Sequence, residues 1–169
     1  MEKLTLQIIK LISIPETLCI IPCGSRKIWD KYPGADPTPA KLVYTGSFSL
    51  KCREYAEKFY PGTWCILSAK HGFLFPNDVV EETYNISFND MKSNPISIEE
   101  LSRQVKAKRL NDYQDVIIVR GRNYVKMATM VFETQRNHIP LAGCRGLGYM
   151  MKKLNEAIIA GLTITNVAG

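Results

Sequence analysis

Apolar runs alternate with amphipathic segments along the chain, and this alternation predicts a sheet flanked by helices. The runs over 17–22, 63–68 and 115–120 are short and bounded by turn residues, which is typical of buried strands. Between the first two, 47–60 carries apolar residues at helical spacing and ends at a Pro-Gly pair. Because the strands are apolar throughout, we expect them to be buried on both faces of a mainly parallel sheet.

Further helices are predicted after the second strand. The segment Ser97-Ile-Glu-Glu100 predicts a capping box at the start of a helix. The Ser97 hydroxyl can accept from the Glu100 amide, and the Glu100 carboxylate can accept from the Ser97 amide. Gly161 is expected to end the last helix, because glycine readily adopts the left-handed conformation at a helix terminus. The predicted helices cover 97–110, 122–134 and 148–160, and a short fourth strand is expected over 138–141.

These elements predict an α/β fold, a three-layer α/β/α arrangement with a mainly parallel, Rossmann-like sheet of four or five strands. We expect one domain over 17–169, preceded by an N-terminal extension over 1–16 that forms an amphipathic helix or a strand. Lys10 interrupts this extension and no small-residue cleavage site follows, so a signal peptide is not expected. The connection 69–95 exceeds ordinary loop lengths, which indicates function or an additional small element.

Composition and charge narrow the class of protein. The chain is 46% hydrophobic and 22% charged over 169 residues, which is typical of globular proteins, and no apolar run approaches the ~20 residues of a membrane span. An odd count of five cysteines favours reduced thiols and a cytoplasmic location. Without a CxxC pair, a structural zinc site is not expected. Nor is any cofactor or other metal expected. A net charge of +6 favours nucleic acid or nucleotides as partners, although a basic protein without such a partner is an alternative.

Polar residues follow each of the three predicted strands. Ligands of open α/β sheets bind at the carboxyl ends of the strands. Each exit holds a glycine, which lets a backbone approach a ligand closely, and at least one cation, which favours anions. The strand exits therefore predict one basic cleft, formed by 22–27, 68–72 and 120–124. We expect a single cavity to be lined by Cys23, Lys70, His71 and Gly121.

The candidate binding residues of this cleft are glycines, hydroxyls and cations. They are Gly24, Ser25, Arg26, Lys27, Tyr44, Ser68, Lys70, Gly72, Tyr84, Gly121 and Arg122, with Arg145 and Gly146 from the glycine-rich loop before the last helix. The cations would hold phosphates, and the tyrosines would position a base. The alternatives are solvated loops with incidental charges and, for the glycine-rich loop, close packing at the start of the helix.

Three residues are candidates for catalysis. His71 suits proton transfer because its unperturbed pKa lies near neutrality, but it could instead tie its loop by a hydrogen bond. Cys23 follows a strand beside cations that can lower the pKa of a thiol, but it could also be a small buried filler. Asp78 could supply a carboxylate to His71, as could Glu81 or Glu82, and solvated loop acids are the alternative reading of each.

Four segments carry a resemblance to a known family. They are Pro22–Lys27, Pro39–Gly46, Leu67–Val80 and Pro140–Gly148, with Ser-Ala-Lys-His-Gly at the centre of the third. These segments resemble a poorly characterised bacterial, archaeal and phage family with a Ser-Ala-Lys-His-Gly-Leu signature, which is distantly similar to the YaaA peroxide-stress proteins linked to DNA binding. The first segment is also similar to the glycosylase-like domain of archaeosine synthase, a tRNA base-modifying enzyme.

The resemblance implies a domain that handles nucleic acid or nucleotides, with glycosidic-bond or transglycosylase-like chemistry on nucleobases as one outcome. A non-catalytic DNA- or RNA-binding stress protein and a small nucleotide-binding module are the alternatives. Relatives tend to carry Pro-Tyr-Asp after the His-Gly loop, whereas this chain has Thr83-Tyr84-Asn85. The missing carboxylate at position 85 favours binding over catalysis.

Overall fold

The computed structural model describes residues 17–164, and the predicted extension over 1–16 lies outside this range. The strands of the described part are β1 (Thr17–Pro22), β2 (Thr38–Pro39), β3 (Trp64–Ser68), β4 (Gly72–Leu74), β5 (Val79–Val80), β6 (Asp115–Ile118) and β7 (Arg136–His138). The helices are α1 (Ile28–Lys31), α2 (Ala40–Val43), α3 (Ser47–Phe59), α4 (Ile98–Ala107), α5 (Arg122–Val131) and α6 (Leu147–Ala160). Short 3-10 turns lie at Met91–Ser93 and Leu110–Asp112.

The main sheet has five strands in the order β4-β3-β1-β6-β7. The strands β3, β1, β6 and β7 are parallel to their neighbours, and only β4 runs antiparallel, on the outer side of β3. This confirms the predicted mainly parallel sheet. The long connection 69–95 contains β4 and also β5, which pairs with β2 in a separate two-stranded sheet. The additional small element expected in that connection is therefore present.

The helices flank the sheet as two pairs. The helix α3 packs on α6 and β1, whereas α4 packs on α5 and β4. The connection from β1 to β3 and the connection from β3 to β6 cross the sheet in opposite directions. Because such crossovers are right-handed, α3 and α4 lie on opposite faces, as in the predicted three-layer arrangement.

Burial follows the apolar pattern in the strands. All of β3 is buried, as is β1 after its first residue, and the largest fully buried side chains are Tyr55, Phe73 and Phe132. All five cysteines are free thiols. Within residues 17–164, no helix is long and apolar enough to cross a membrane.

Several boundaries differ from the predictions: the helix predicted over 122–134 ends at Val131, the strand predicted over 115–120 ends at Ile118, and two further differences have a clear physical reason. The helix α4 begins with the predicted cap, in which the Ser97 Oγ accepts from the Glu100 amide at 3.1 Å, but it ends at Ala107 because Arg109 adopts a left-handed conformation (φ 57°). The fourth parallel strand is Arg136–His138, not 138–141. Its polar sequence has no apolar signal, and the pattern wrongly favoured the apolar residues that follow it.

Candidate functional site

The carboxyl ends of β1 and β6 form the crevice where this fold class binds ligands. The two strands are neighbours, and the chain leaves them toward helices on opposite faces, which makes this the switch point of the sheet. Directly after β1, a Cβ on Gly24 would lie 2.5 Å from the Ser49 Oγ. A side chain at this position would therefore force the Ser49 hydroxyl of α3 to move.

Tyr84 joins the exits of β1 and β3 through a hydroxyl network. Its Oη lies 2.6 Å from the Tyr44 Oη and 2.7 Å from the Ser68 Oγ. The Ser68 Oγ also accepts from the amides of Lys70 (3.2 Å) and His71 (3.1 Å), so it donates its own proton to Tyr84. Burial raises the pKa of Tyr44 to about 12. These hydroxyls are therefore neutral at physiological pH.

Two lysines lie over the Tyr84 ring. The Lys27 Nζ is 4.3 Å from the ring centroid and the Lys70 Nζ is 5.6 Å from it, both within the range of cation–π attraction. Lys27 is only 4% exposed, and its ammonium donates to the Ser25 carbonyl at 3.0 Å. Burial lowers the pKa of Lys27, because the charged form loses solvation there.

His71 packs edge-on against Tyr84, with the ring centroids 5.2 Å apart. Its Nε2 is buried and has no hydrogen-bond partner within residues 17–164. Burial lowers the pKa of His71, and the nearby charge of Lys70 lowers it further. The ring is therefore neutral at physiological pH. The loop itself is tied by the His71 backbone, whose amide donates to Ser68 and whose carbonyl accepts from Gln104 at 2.9 Å.

Asp78 does not pair with His71. Its carboxylate accepts from the Phe75 amide at 2.8 Å and from the Lys108 Nζ at 3.4 Å, so it closes the turn before β5. No hydrogen bond or ion pair joins it to His71 in the described part of the chain. Nor does that part contain a group of three or more His, Cys, Asp or Glu side chains that could hold a metal ion.

The Cys23 thiol is covered by a tyrosine that sequence reasoning did not select. Cys23 is buried, and its Sγ lies 2.9 Å from the Tyr124 Oη. The Tyr124 ring in turn packs edge-on against Phe88, with centroids 5.3 Å apart. The only sequence signal for Tyr124 was its place in the third strand exit, 120–124.

Gly72 is needed for a clamp between α4 and the strand exit. Its φ is +75°, and a Cβ there would lie 2.1 Å from the Gln104 Oε1. The Gln104 side chain accepts from the Phe73 amide at 2.8 Å and donates to the His71 carbonyl. Sequence reasoning missed Gln104, although an amide three residues after the buried Leu101, on the inward side of an amphipathic helix, is a usable signal.

Three cavities lie near the carboxyl edge of the main sheet. Arg26, Lys31 and Thr45 contribute to a cavity of about 590 Å³ beside α1. Gly121 and Tyr124 contribute to a smaller one of about 210 Å³, where a Cβ on Gly121 would lie 3.4 Å from the Met150 Cε. Cys23, Lys70 and His71 do not line that cavity, so the expected single cavity with Gly121 is not formed.

The glycine-rich loop borders the third cavity. Arg145 lines this cavity, which measures about 420 Å³ and follows the start of α6. Gly146 precedes α6 with a φ of +94°, a conformation that favours glycine. Leu147, the next residue, lines the cavity that contains Gly121. The loop therefore lies at the same edge of the sheet as the other candidate residues.

Cations without ion pairs collect at this edge. The salt bridges between described residues use other basic residues, among them Lys51, Arg53, Arg103, Lys108 and Arg109, together with Lys152, which borders the third cavity. No acidic side chain within residues 17–164 pairs with seven cations that follow the strand ends or border the three cavities. These seven are Arg26, Lys27, Lys31, Lys70, Arg120, Arg122 and Arg145; Lys153 also borders the third cavity without a salt bridge and donates to the Pro140 carbonyl at 2.9 Å. These cations therefore form no salt bridge, although the Asp30 carboxylate borders the first cavity beside Arg26, Lys27 and Lys31.

Comparison with known proteins places the chain in a family. No solved structure matches it. The uncharacterized protein YfjM of Bacillus subtilis (strain 168) is 39% identical over 142 residues, which cover 83% of this chain and 94% of that protein. The model of a family of unknown function, DUF6884, matches residues 18–156, a range that includes the main sheet and every candidate residue of the strand-end edge. The chain therefore belongs to the DUF6884 family.

Proposed function

We propose that the chain binds nucleotides or nucleic acid at the carboxyl edge of its sheet. The observation that carries this proposal is the set of seven cations at this edge without ion pairs. Like charges that face one another without counter-charges raise the free energy of the unliganded protein. A ligand with several phosphates would lower it and would release its own counterions on binding.

Lys27 supports an anionic ligand in particular. Its ammonium is nearly inaccessible to water, and one carbonyl and the Tyr84 ring are the contacts it makes near its charge. A buried ammonium without a salt bridge is costly to keep charged, and the nearby charge of Asp30 offsets only part of the effect of burial on Lys27. A phosphate at this edge would offset that cost, and the hydroxyls of Tyr44 and Tyr84 could accept or donate hydrogen bonds to a base.

The site favours binding over base chemistry. Asp78 does not reach His71, and Tyr124 covers the Cys23 thiol. The resemblance to the YaaA proteins, which are linked to DNA binding, also supports binding of nucleic acid. One observation favours the second candidate function, base modification of the archaeosine synthase kind: the neutral His71 beside Tyr84 keeps a buried Nε2 without a partner in the described residues, so a nitrogen suited to proton transfer lies at the second strand exit.

The test replaces Lys70 and Arg122 together with alanine, because neither is fully buried and neither is paired. Fluorescence anisotropy with a labelled oligonucleotide, repeated over a range of salt concentrations, measures affinity. We expect weaker binding and a log–log salt slope that is shallower by about 0.7 to 0.9 for each phosphate that the variant no longer neutralises.

The matched control replaces Lys58 and Lys106 with alanine, since these exposed lysines lie in the last turns of α3 and α4, away from the strand ends. The control should retain the wild-type slope. Equal reductions of affinity in both double variants would place the nucleic-acid surface elsewhere. Absence of binding by the wild-type chain to oligonucleotides and to nucleoside triphosphates would overturn the proposed function.

A further inference from the structure

We propose that the three cavities of the strand-end edge form one track for a single-stranded nucleic acid, with Tyr32 and Tyr149 stacking on bases at its two ends. This inference rests on the proposed function and specifies its ligand. It follows from three features that coincide along the edge: cavities in a row, a cation in each, and solvent-facing tyrosines at the outer two.

The first cavity lies beside α1. Arg26 and Lys31 contribute cations there, and Tyr32 contributes a ring that is 55% exposed. The Lys31 Nζ lies 5.3 Å from the centroid of this ring. An exposed aromatic ring beside unpaired cations offers a base a surface to stack on and its phosphate a counter-charge.

The middle cavity offers hydrogen-bonding groups. Asn89 and Asn123 both line it, and their side-chain amides are hydrogen-bonded to each other. The Arg120 guanidinium lies 5.4 Å from the Phe48 centroid and 5.1 Å from the Tyr124 centroid, so stacking on two rings fixes its position. Amides present both donors and acceptors, which suits the edge of an unpaired base.

The third cavity lies along the first turns of α6. Arg145 and Lys153 line it, together with Tyr149, whose side chain is 65% exposed. Glu156 also lines it, but this carboxylate pairs with Lys152 at 3.9 Å. The free amides at the start of α6 add a further preference for an anion.

The three cavities are lined by residues that follow neighbouring elements of the fold. Leu147 lines the middle cavity while Arg145 and Tyr149, within two residues of it, line the third. Arg26 of the first cavity follows β1, and Arg120 of the middle cavity follows the adjacent strand β6, about 4.8 Å away in a parallel sheet. The proposed track would link these cavities across the ends of β1 and β6 and the start of α6.

A single strand fits these features better than a mononucleotide or a duplex. One nucleotide cannot occupy three cavities at once, whereas consecutive nucleotides of a polymer can. Stacking on Tyr32 and Tyr149 requires base faces that are free, and in a duplex those faces are covered by neighbouring base pairs. The track should therefore prefer unpaired DNA or RNA and read sequence weakly.

The test measures the affinity of the full chain for single-stranded DNA and RNA of increasing length, for a duplex of the same sequence, and for nucleoside triphosphates. Affinity should rise with the length of the single strand and then level off when the three cavities are filled. Tyr32→Leu and Tyr149→Leu should each weaken binding to the long strand by about 5- to 100-fold, whereas Tyr32→Phe and Tyr149→Phe should retain it.

The outcomes separate this inference from the proposed function. Tight binding of nucleoside triphosphates without a gain from longer strands, or wild-type affinity in both leucine variants, would overturn the track and leave the proposed function standing. A preference for the duplex would also overturn the track. If neither nucleotides nor nucleic acids bind, both proposals fail. The length series uses the unaltered chain, so it decides the question even if a variant misfolds.

Discussion

At the scale of single residues, Tyr84 organises the candidate site. Its hydroxyl contacts Tyr44 and Ser68, and its ring contacts Lys27, Lys70 and the edge of His71. Three separate segments of the chain thus meet on one side chain. Tyr84 lies in the long connection after the His-Gly loop, so its contacts hold that connection against the strand exits.

His71 provides the residue-scale prediction. Since its loop is tied through backbone atoms, His71→Asn should change the free energy of unfolding by less than about 1 kcal/mol. Loss of the Nε2 should weaken nucleotide binding by about 3- to 10-fold, the value of one hydrogen bond. Thermal melts and ligand titrations on the same preparation measure both. Strong destabilisation with wild-type affinity would show that the imidazole serves the fold instead.

At the scale of elements, the clamp between α4 and β4 decides the shape of the second strand exit. We expect Gln104→Ala to lower the free energy of unfolding by about 1–3 kcal/mol, because the buried amide of Phe73 is left without its acceptor. Arg103→Ala, one residue earlier on the exposed side of α4, is the control and should cost little, since surface ion pairs contribute little.

A double-mutant cycle tests the clamp further. Gly72→Ala should be strongly destabilising in the native chain, because the new Cβ meets the Gln104 amide. Part of that cost should disappear when Gln104 is already alanine, leaving the cost of the left-handed conformation. Chemical denaturation of the wild type, the two single variants and the double variant gives the coupling free energy between positions 72 and 104. Strictly additive effects would contradict the contact.

At the scale of the whole molecule, charge is distributed unevenly between the two edges of the sheet. At the start of β6, the Asp115 carboxylate accepts from the Arg136 Nε at 2.9 Å and Nη2 at 2.7 Å, and it lies 2.7 Å from the His138 Nε2. The hydrogen bonds from Arg136 and then from His138 hold the pKa of Asp115 well below its usual value. The carboxylate at this edge is paired, whereas seven cations at the carboxyl edge form no salt bridge within residues 17–164.

The pairing of Asp115 predicts a pH dependence of stability. Because the pKa is lower in the folded state, the stabilisation is present above the unfolded value of about 4 and is lost as pH falls below it. Asp115→Asn should therefore cost about 1–2 kcal/mol at pH 7, and the difference from wild type should narrow only below about pH 4. Urea unfolding at neutral and acidic pH measures this, with the exposed Asp112→Asn as the control. A constant difference down to pH 3 would contradict the assignment.

The sequence by itself determined the elements and the edge where they present their polar residues. The short apolar runs at 17–22 and 63–68 predict buried strands of a sheet. Because parallel strands end at the same edge, the glycines and cations after these runs are expected to lie together at that edge. The same reasoning failed for Arg136–His138, since an outer strand with polar residues carries no apolar pattern. Local periodicity records how a segment is buried, and it records nothing about an element held by polar contacts.

Only the tertiary structure decided which side chains meet. Cys23 and Tyr124 are 101 residues apart, and Phe73 and Gln104 are 31 apart, so no local pattern could pair them. The same packing joined Asp78 to Lys108 and left the Nε2 of His71 without a partner in the described chain. Side-chain partners depend on how helices are placed across the sheet, and that placement is fixed by the packing of the whole core rather than by the residues at the site.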